Sequence, residues 1–244
     1  EYRRQRQMCI RDRRKIIPVT YMNSHAPLKA FTGRHGGLVC TSSNAKQALE
    51  WAYKNGDIVF FFPDQHLGRN TGRAMGFSES QMPVWYPSKP EGALDSLQDV
   101  KMILWNGNCP VHMKFYARDL RFVRKHFPNA KIAVHPECTE DVVKLADAVG
   151  STEFLVQYVK KLPPKSQVFI GTEVNLVERL RVENPELRVE PLFRSLCPTM
   201  YMVDLKKLLY CLQTLDEKLL VPMPPEIRDP ARLSLERMLA LPRT

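Results

Sequence analysis

Short β-branched or aromatic runs alternate along this chain with longer stretches whose apolar positions recur every three or four residues. The runs Ile16–Tyr21, Ile58–Phe62, Met102–Trp105, Ile132–Val134 and Val168–Ile170 predict strands. Between them, Asn44–Lys54 predicts a helix that Ser42 or Ser43 can cap and that Asn55-Gly56 closes. Pro110–His126 predicts another, with Val111, Phe115, Leu120 and Phe122 on its apolar face and Pro128 just beyond its end. Further helices are expected over Thr139–Val149, Glu153–Lys161, Thr172–Val182, Val203–Leu215 and Pro230–Leu239. Strands that alternate with helices in this way build parallel sheets with crossover connections, so an α/β fold of three-layer α/β/α domains is expected.

Polar, chemically capable residues follow each strand directly. Tyr21 and Asn23 follow the first, Pro63-Asp64-Gln65-His66 the second, and Asn106, Asn108 and Cys109 the third. His135 and Glu137 follow the fourth, and Gly171, Thr172 and Glu173 the fifth. In open parallel sheets ligands bind beyond the carboxyl ends of the strands, where helix N-termini supply donors. A site gathered from several strand ends is therefore expected.

Charge changes this picture little. The formal net charge is +10 over 244 residues, but half of it sits in residues 1–15, where seven basic side chains face only Glu1 and Asp12. The opening run of residues 1–14 has no apolar periodicity. It resembles translated adapter sequence and is taken as a non-native arm, the alternative being a native disordered basic arm. Outside it, no basic stretch studded with aromatics suggests a nucleic-acid groove. No run of eighteen apolar residues suggests a membrane span, and the chain reads as cytoplasmic.

Six cysteines, with no C-x-x-C pair among them, argue against a disulfide framework and a zinc ribbon, so any metal site has to be assembled from distant segments. Cys109-Pro110 and Cys197-Pro198 form a weak repeat at the entrance to two apolar helices. Each thiol would then sit beside the positive end of a helix, which favours the thiolate. Cys211 and the Tyr201–Met202 pair look like packing residues.

Eight segments in order resemble the quinolinate synthase family: PVTYMNS at 18–24, CTSSNA at 40–45, FFPDQHLGRNT at 61–71, ILWNGNCPVH at 103–112, VHPEC at 134–138, VGSTE at 149–153, GTEVNLVERL at 171–180 and LCPTMYMVDL at 196–205. The resemblance implies three similar α/β/α domains around a pseudo-threefold axis, of which this chain holds two. Residues 15–108 would be the family's middle domain and 109–192 its third. Residues 193–244 would be a helical segment that carries a cluster cysteine and packs back toward a first domain not present here.

It further implies a 4Fe-4S cluster with Cys109 and Cys197 as two of three thiolate ligands, the third lying upstream of this chain. Three thiolates leave one iron open to act as a Lewis acid. The implied reaction condenses iminoaspartate with dihydroxyacetone phosphate to quinolinate in NAD biosynthesis, with an L-aspartate oxidase or dehydrogenase as the source of iminoaspartate. Tyr21, His135 and Glu137 are the implied catalytic residues. Tyr21, Asn23, Ser42, His112, His135, Glu137 and Thr152 are the implied substrate contacts. The 244-residue chain alone is expected to be inactive and to expose apolar patches near the cluster side.

Blander readings accompany these. Cys109 or Cys197 could be an ordinary buried thiol, His135 and Glu137 a structural turn, and Ser42 a helix cap. Two other classes of function compete: a cluster-free module that binds a dicarboxylate or phosphorylated triose, and an RNA-binding protein resting on the first fifteen residues.

Overall fold

The computed structural model describes residues 14–88, 97–215 and 217–242. The basic arm, Arg14 excepted, lies outside them, as does Cys9. The described chain runs β1 (Ile16–Tyr21), α1 (Ala26–Arg34), β2 (Leu38–Cys40), α2 (Ala45–Asn55), β3 (Ile58–Phe62), α3 (Gln65–Ala74), β4 (Val84–Trp85) and β5 (Met102–Trp105). After a short 3-10 turn at His112–Lys114 come α4 (Ala117–His126), β6 (Lys131–Val134), α5 (Glu140–Leu145), β7 (Ala148–Val149), α6 (Thr152–Lys160), β8 (Gln167–Gly171), α7 (Val174–Glu183) and β9 (Arg188–Pro191). The C-terminal stretch holds α8 (Pro198–Tyr201), α9 (Leu205–Thr214) and α10 (Pro225–Leu239).

Two parallel sheets result, ordered β2-β1-β3-β5-β4 and β7-β6-β8-β9. Their strands carry apolar side chains on both faces, as buried parallel strands must. In the first sheet Val19, Phe61 and Leu104 pack with Ala48, Leu49 and Leu67 of α2 and α3. On its opposite face Ile58 and Ile103 meet Leu97 and Val100, and Phe62 meets Phe31 of α1 edge-on. In the second, Ala133 and Ile170 pack under α6 and α7, while Ile132 and Val134 pack under Leu120, Val123 and Val142. Full burial of a side chain such as Phe61 contributes roughly 1.5–3 kcal/mol.

All five expected strands are present within one residue of their expected ends. The helix expected over Pro110–His126 is broken. Phe115 and Tyr116 are extended, Phe115 is driven into the core, and α4 starts afresh with the Tyr116 N–H donating to Asp119. The stretch Thr139–Val149 likewise holds a short helix and then the edge strand β7, because the chain turns extended at Ala146. The C-terminal helix starts at Pro225 rather than Pro230. Unforeseen elements are β2, β4, β7, β9, α1, α3 and the one-turn α8: the strands are short edge pieces, α1 has weak apolar periodicity, and α3 is mostly polar with few apolar residues.

The stretch 193–244 divides in two. Helix α10 packs on α1 and β2 of the first unit, where Gly33 makes the contact possible. A Cβ there would lie 1.8 Å from the Pro230 carbonyl oxygen. Helices α8 and α9 bury none of their residues, so Tyr201, Met202 and Cys211, taken above as packing residues, are exposed. Their apolar periodicity is genuine, but no described element covers it.

Candidate active site

Both sheets reverse direction next to their founding strands. The chain leaves β1 toward β2 and then crosses back to β3; it leaves β6 toward β7 and crosses back to β8. At such switch points the loops part and leave a crevice. Tyr21 and Asp64 flank the first, and His135-Pro136-Glu137 and Thr172 flank the second. The two crevices face each other, pinned by Asn70 of α3, whose amide donates to the carbonyls of Pro136 and Cys138, each at 2.8 Å. Arg73 adds an ion pair to Glu140 at 3.0 Å.

Glu137 is the centre of this arrangement and is only 4% exposed. Its Oε2 lies 3.3 Å from Nδ1 of His112 and 3.2 Å from Nδ1 of His135. The two imidazoles stack with centroids 4.4 Å apart. Nε2 of His112 faces the Thr172 hydroxyl at 3.4 Å. Cys109 Sγ, a nitrogen of His112 and an oxygen of Glu137 all lie within 4.8 Å of one another.

The electrostatics follow from this crowding. Burial alone would push Glu137 up, yet its contacts with His112 and His135 outweigh burial and hold it at about 2. Burial would lower His112, but contacts with Cys109 and Glu137 raise it to about 9. Burial lowers His135, and the charge on His112 adds to that effect. Two stacked imidazoles beside one carboxylate carry one proton more readily than two. Tyr21 is driven upward by burial and then by the charge of Glu137, opposed by its hydrogen bond with Ser42. Asp64 is pushed up to about 7 by burial and by Glu137, although it accepts from the Leu67 and Cys109 N–H groups.

The loop after β2 explains why Ser42 meets Tyr21. Asn44 Oδ1 accepts from the Thr41 N–H at 2.7 Å, and the Thr41 hydroxyl contacts Ser43. Asn44 is the residue before α2, and neither serine caps that helix. Asn23 is exposed between Met22 and Ser24, whose carbonyls both accept from Lys29. Thr152 opens α6 but is exposed, and Ser151 is the cap, accepting from Phe154.

The two cysteines approach from separate segments. The Ser195 hydroxyl donates to the Val111 carbonyl at 2.8 Å, which sets the chain two residues before Cys197 against the chain two residues after Cys109. Cys109 donates its N–H to Asp64 and leads into the 3-10 turn, not an apolar helix. Cys197 precedes the one-turn α8, and its thiol is lowered, first by the Thr199 hydroxyl and then by the Met200 N–H. Both are half-buried, whereas Cys40 and Cys138 are fully enclosed and burial pushes their thiols up. The donors thus suit a thiolate-bound group at Cys109 and Cys197, and not at the other two.

Asp64 and Thr172 were placed by the sequence among the polar residues that follow strands, without a specific role, and Asn70 was not singled out. Asn70 lies mid-helix and carries no local signal.

The quinolinate synthetase A protein family profile matches residues 3–240. The chain belongs to the quinolinate synthase family. It is 48% identical over 238 residues to a quinolinate synthase of Rhodopirellula baltica, covering 94% of this chain and 61% of the relative. It is 45% identical over 233 residues to that of Corynebacterium glutamicum, covering 93% and 59%, and 43% identical over 232 residues to that of Bacillus subtilis, covering 93% and 63%. The chain thus spans about three fifths of the length of these quinolinate synthases. The expected family and the parallel α/β fold both hold.

Proposed function

We propose that the protein acts in quinolinate formation from iminoaspartate and dihydroxyacetone phosphate, as part of NAD biosynthesis. The observation that carries this reading is the convergence of Glu137, His112, His135, Tyr21 and Cys109 on the facing strand ends of two parallel sheets. Cys109 and Cys197 would hold a 4Fe-4S cluster together with a third thiolate from outside this chain. When bound, that cluster supplies an open iron as a Lewis acid.

The chain's own residues do the remaining work. Glu137, ionised and dry, takes protons from substrate carbon or nitrogen and returns them to departing hydroxyls. His112 shares its proton with Glu137 through Nδ1, while neutral His135 orients the carboxylate. Tyr21 stays protonated at neutral pH and donates through its hydroxyl, which Ser42 aligns. Asn23, Ser42 and Thr152 grip the substrate carboxylates at the rim. Iminoaspartate hydrolyses readily, so an L-aspartate oxidase or dehydrogenase would supply it nearby. The described cysteines are free, in keeping with a reducing, cytoplasmic setting. No described helix is long and apolar enough to cross a membrane.

The 244-residue chain alone is proposed to be inactive for want of the third ligand. The test is anaerobic reconstitution with iron and sulfide of a chain extended to the relatives' full length, followed by chromatography for quinolinate. Quinolinate from both substrates supports the reading, and a cluster-loaded protein that makes none contradicts it.

A further inference from the structure

We propose that Asp64 and Glu173 are a matched pair of positioning residues, one for each cysteine, which hold the backbone of Cys109 and of Cys197 so that both thiols reach a shared group. The inference deepens the proposed function and rests on it, because it takes those two thiols as ligands. Topology makes the two carboxyls equivalent. The sheet orders β2-β1-β3-β5 and β7-β6-β8-β9 correspond strand for strand, which matches β3 with β8 and β5 with β9. Asp64 stands two residues beyond β3 and Glu173 two residues beyond β8, each as the residue that opens the following helix, α3 or α7. Cys109 and Cys197 follow the adjoining strands, β5 and β9.

Each carboxyl divides its two oxygens in the same way. Asp64 Oδ1 accepts from the Leu67 N–H in the first turn of α3 at 2.7 Å, and Oδ2 accepts from the Cys109 N–H at 2.9 Å. Glu173 Oε2 accepts from the Asn175 N–H in the first turn of α7 at 2.8 Å, and Oε1 accepts from the Cys197 N–H at 3.4 Å and from the Asn175 amide at 3.0 Å. Both side chains are buried, 3% and 8% exposed. A buried carboxyl needs its acceptors filled. Among the described residues the partners are these N–H groups, not a lysine or arginine.

A helix cap alone uses one oxygen. The second oxygen ties the strand end to a cysteine 45 residues away in one unit and 24 residues away in the other. The same link thus recurs at equivalent places although the side chain changes from Asp to Glu and the intervening chain differs in length. That recurrence points to a constraint on the cysteines rather than to capping. Holding the N–H of a cysteine fixes the direction of its Cα–Cβ bond, and so the region its Sγ can reach. Outer contacts that orient metal ligands are worth about tenfold to a hundredfold in affinity.

The test uses Asp64→Asn and Glu173→Gln, which keep size and one oxygen. The oxygen can still cap the helix, while the new amide sets a donor against the cysteine N–H. In the 244-residue chain, hydrogen exchange at the Cys109 amide should quicken about tenfold in Asp64→Asn with Cys197 unchanged, and Glu173→Gln should show the reverse. In the full-length protein after anaerobic reconstitution, each variant should lose iron to a chelator about tenfold to a hundredfold faster than the wild type, with shifted electron paramagnetic resonance g values. Gly33→Ala, which strains the contact of α10 with α1, is the destabilised control and should lose iron at the wild-type rate. Wild-type iron loss in both carboxamide variants, equal acceleration in Gly33→Ala, or exchange quickened at both cysteines by either variant would overturn the proposal. A protein that loses iron in the expected pattern yet makes no quinolinate would sink the reaction and leave the positioning roles standing.

Discussion

His112 stacks on His135 with ring planes 14° from parallel, and both rings turn Nδ1 toward the same oxygen of Glu137. This pairing lets one imidazole carry a proton while its neighbour stays neutral, and it keeps the carboxylate ionised inside a buried pocket.

Replacing Glu137 by Gln keeps the volume and removes the charge. In the full-length reconstituted protein, turnover should fall about 10²- to 10⁴-fold, the usual worth of a positioned acid or base. Cluster absorbance should persist. Full activity in Glu137→Gln would remove this residue from the chemistry.

Asn70 should matter to stability because of two carbonyls it does not own. In Asn70→Ala the Pro136 and Cys138 oxygens lose their donor, which should cost about 1–3 kcal/mol in a urea melt of this chain. Asn70→Asp, which sets an acceptor against two acceptors, should cost at least as much. A neutral result for both would mean that the two units are not joined here.

The buried ionisable groups predict a pH profile. Glu137 is depressed from 4.5 to about 2, so its contribution to stability is complete above 4.5 and fades as pH falls toward 2. His112 is raised from 6.5 to about 9, so its contribution is complete below 6.5 and fades as pH rises through 9. Asp64, raised from 3.8 to about 7, adds to the alkaline decline over its own lower range. Melting temperature should thus decline between about pH 5 and pH 9, and His112→Gln should flatten the upper part of that decline. An unchanged upper limb in the variant would show that His112 does not carry the proton.

Gly33→Ala should loosen the C-terminal helix, since the new methyl meets the Pro230 carbonyl. Overpacking of this kind costs about 1–3 kcal/mol. Limited proteolysis should then release α10 earlier than in the wild type, and equal digestion rates would refute this packing role.

Much of this architecture was legible before the structure. The five long strands stand out because buried parallel strands are apolar on both faces, and the polar residues behind them mark the crevice by topology alone. Tyr21, His112, His135 and Glu137 lie near one another, and Ser42, not Ser43, hydrogen-bonds Tyr21. What stayed hidden depends on approach between segments. The break at Phe115 follows from core packing, and Asn70 acquires its partners only when the two units meet. Cys211 sits on a helical apolar face that suggested a core, yet the face is bare.

In the proposed function Cys109 and Cys197 serve one site beside Glu137. The most direct measurement is iron and acid-labile sulfide content, with electron paramagnetic resonance, of full-length Cys109→Ser and Cys197→Ser after anaerobic reconstitution. Loss of the cluster in both variants, with the fold intact by circular dichroism, is the predicted result. An undiminished cluster in either one would contradict it.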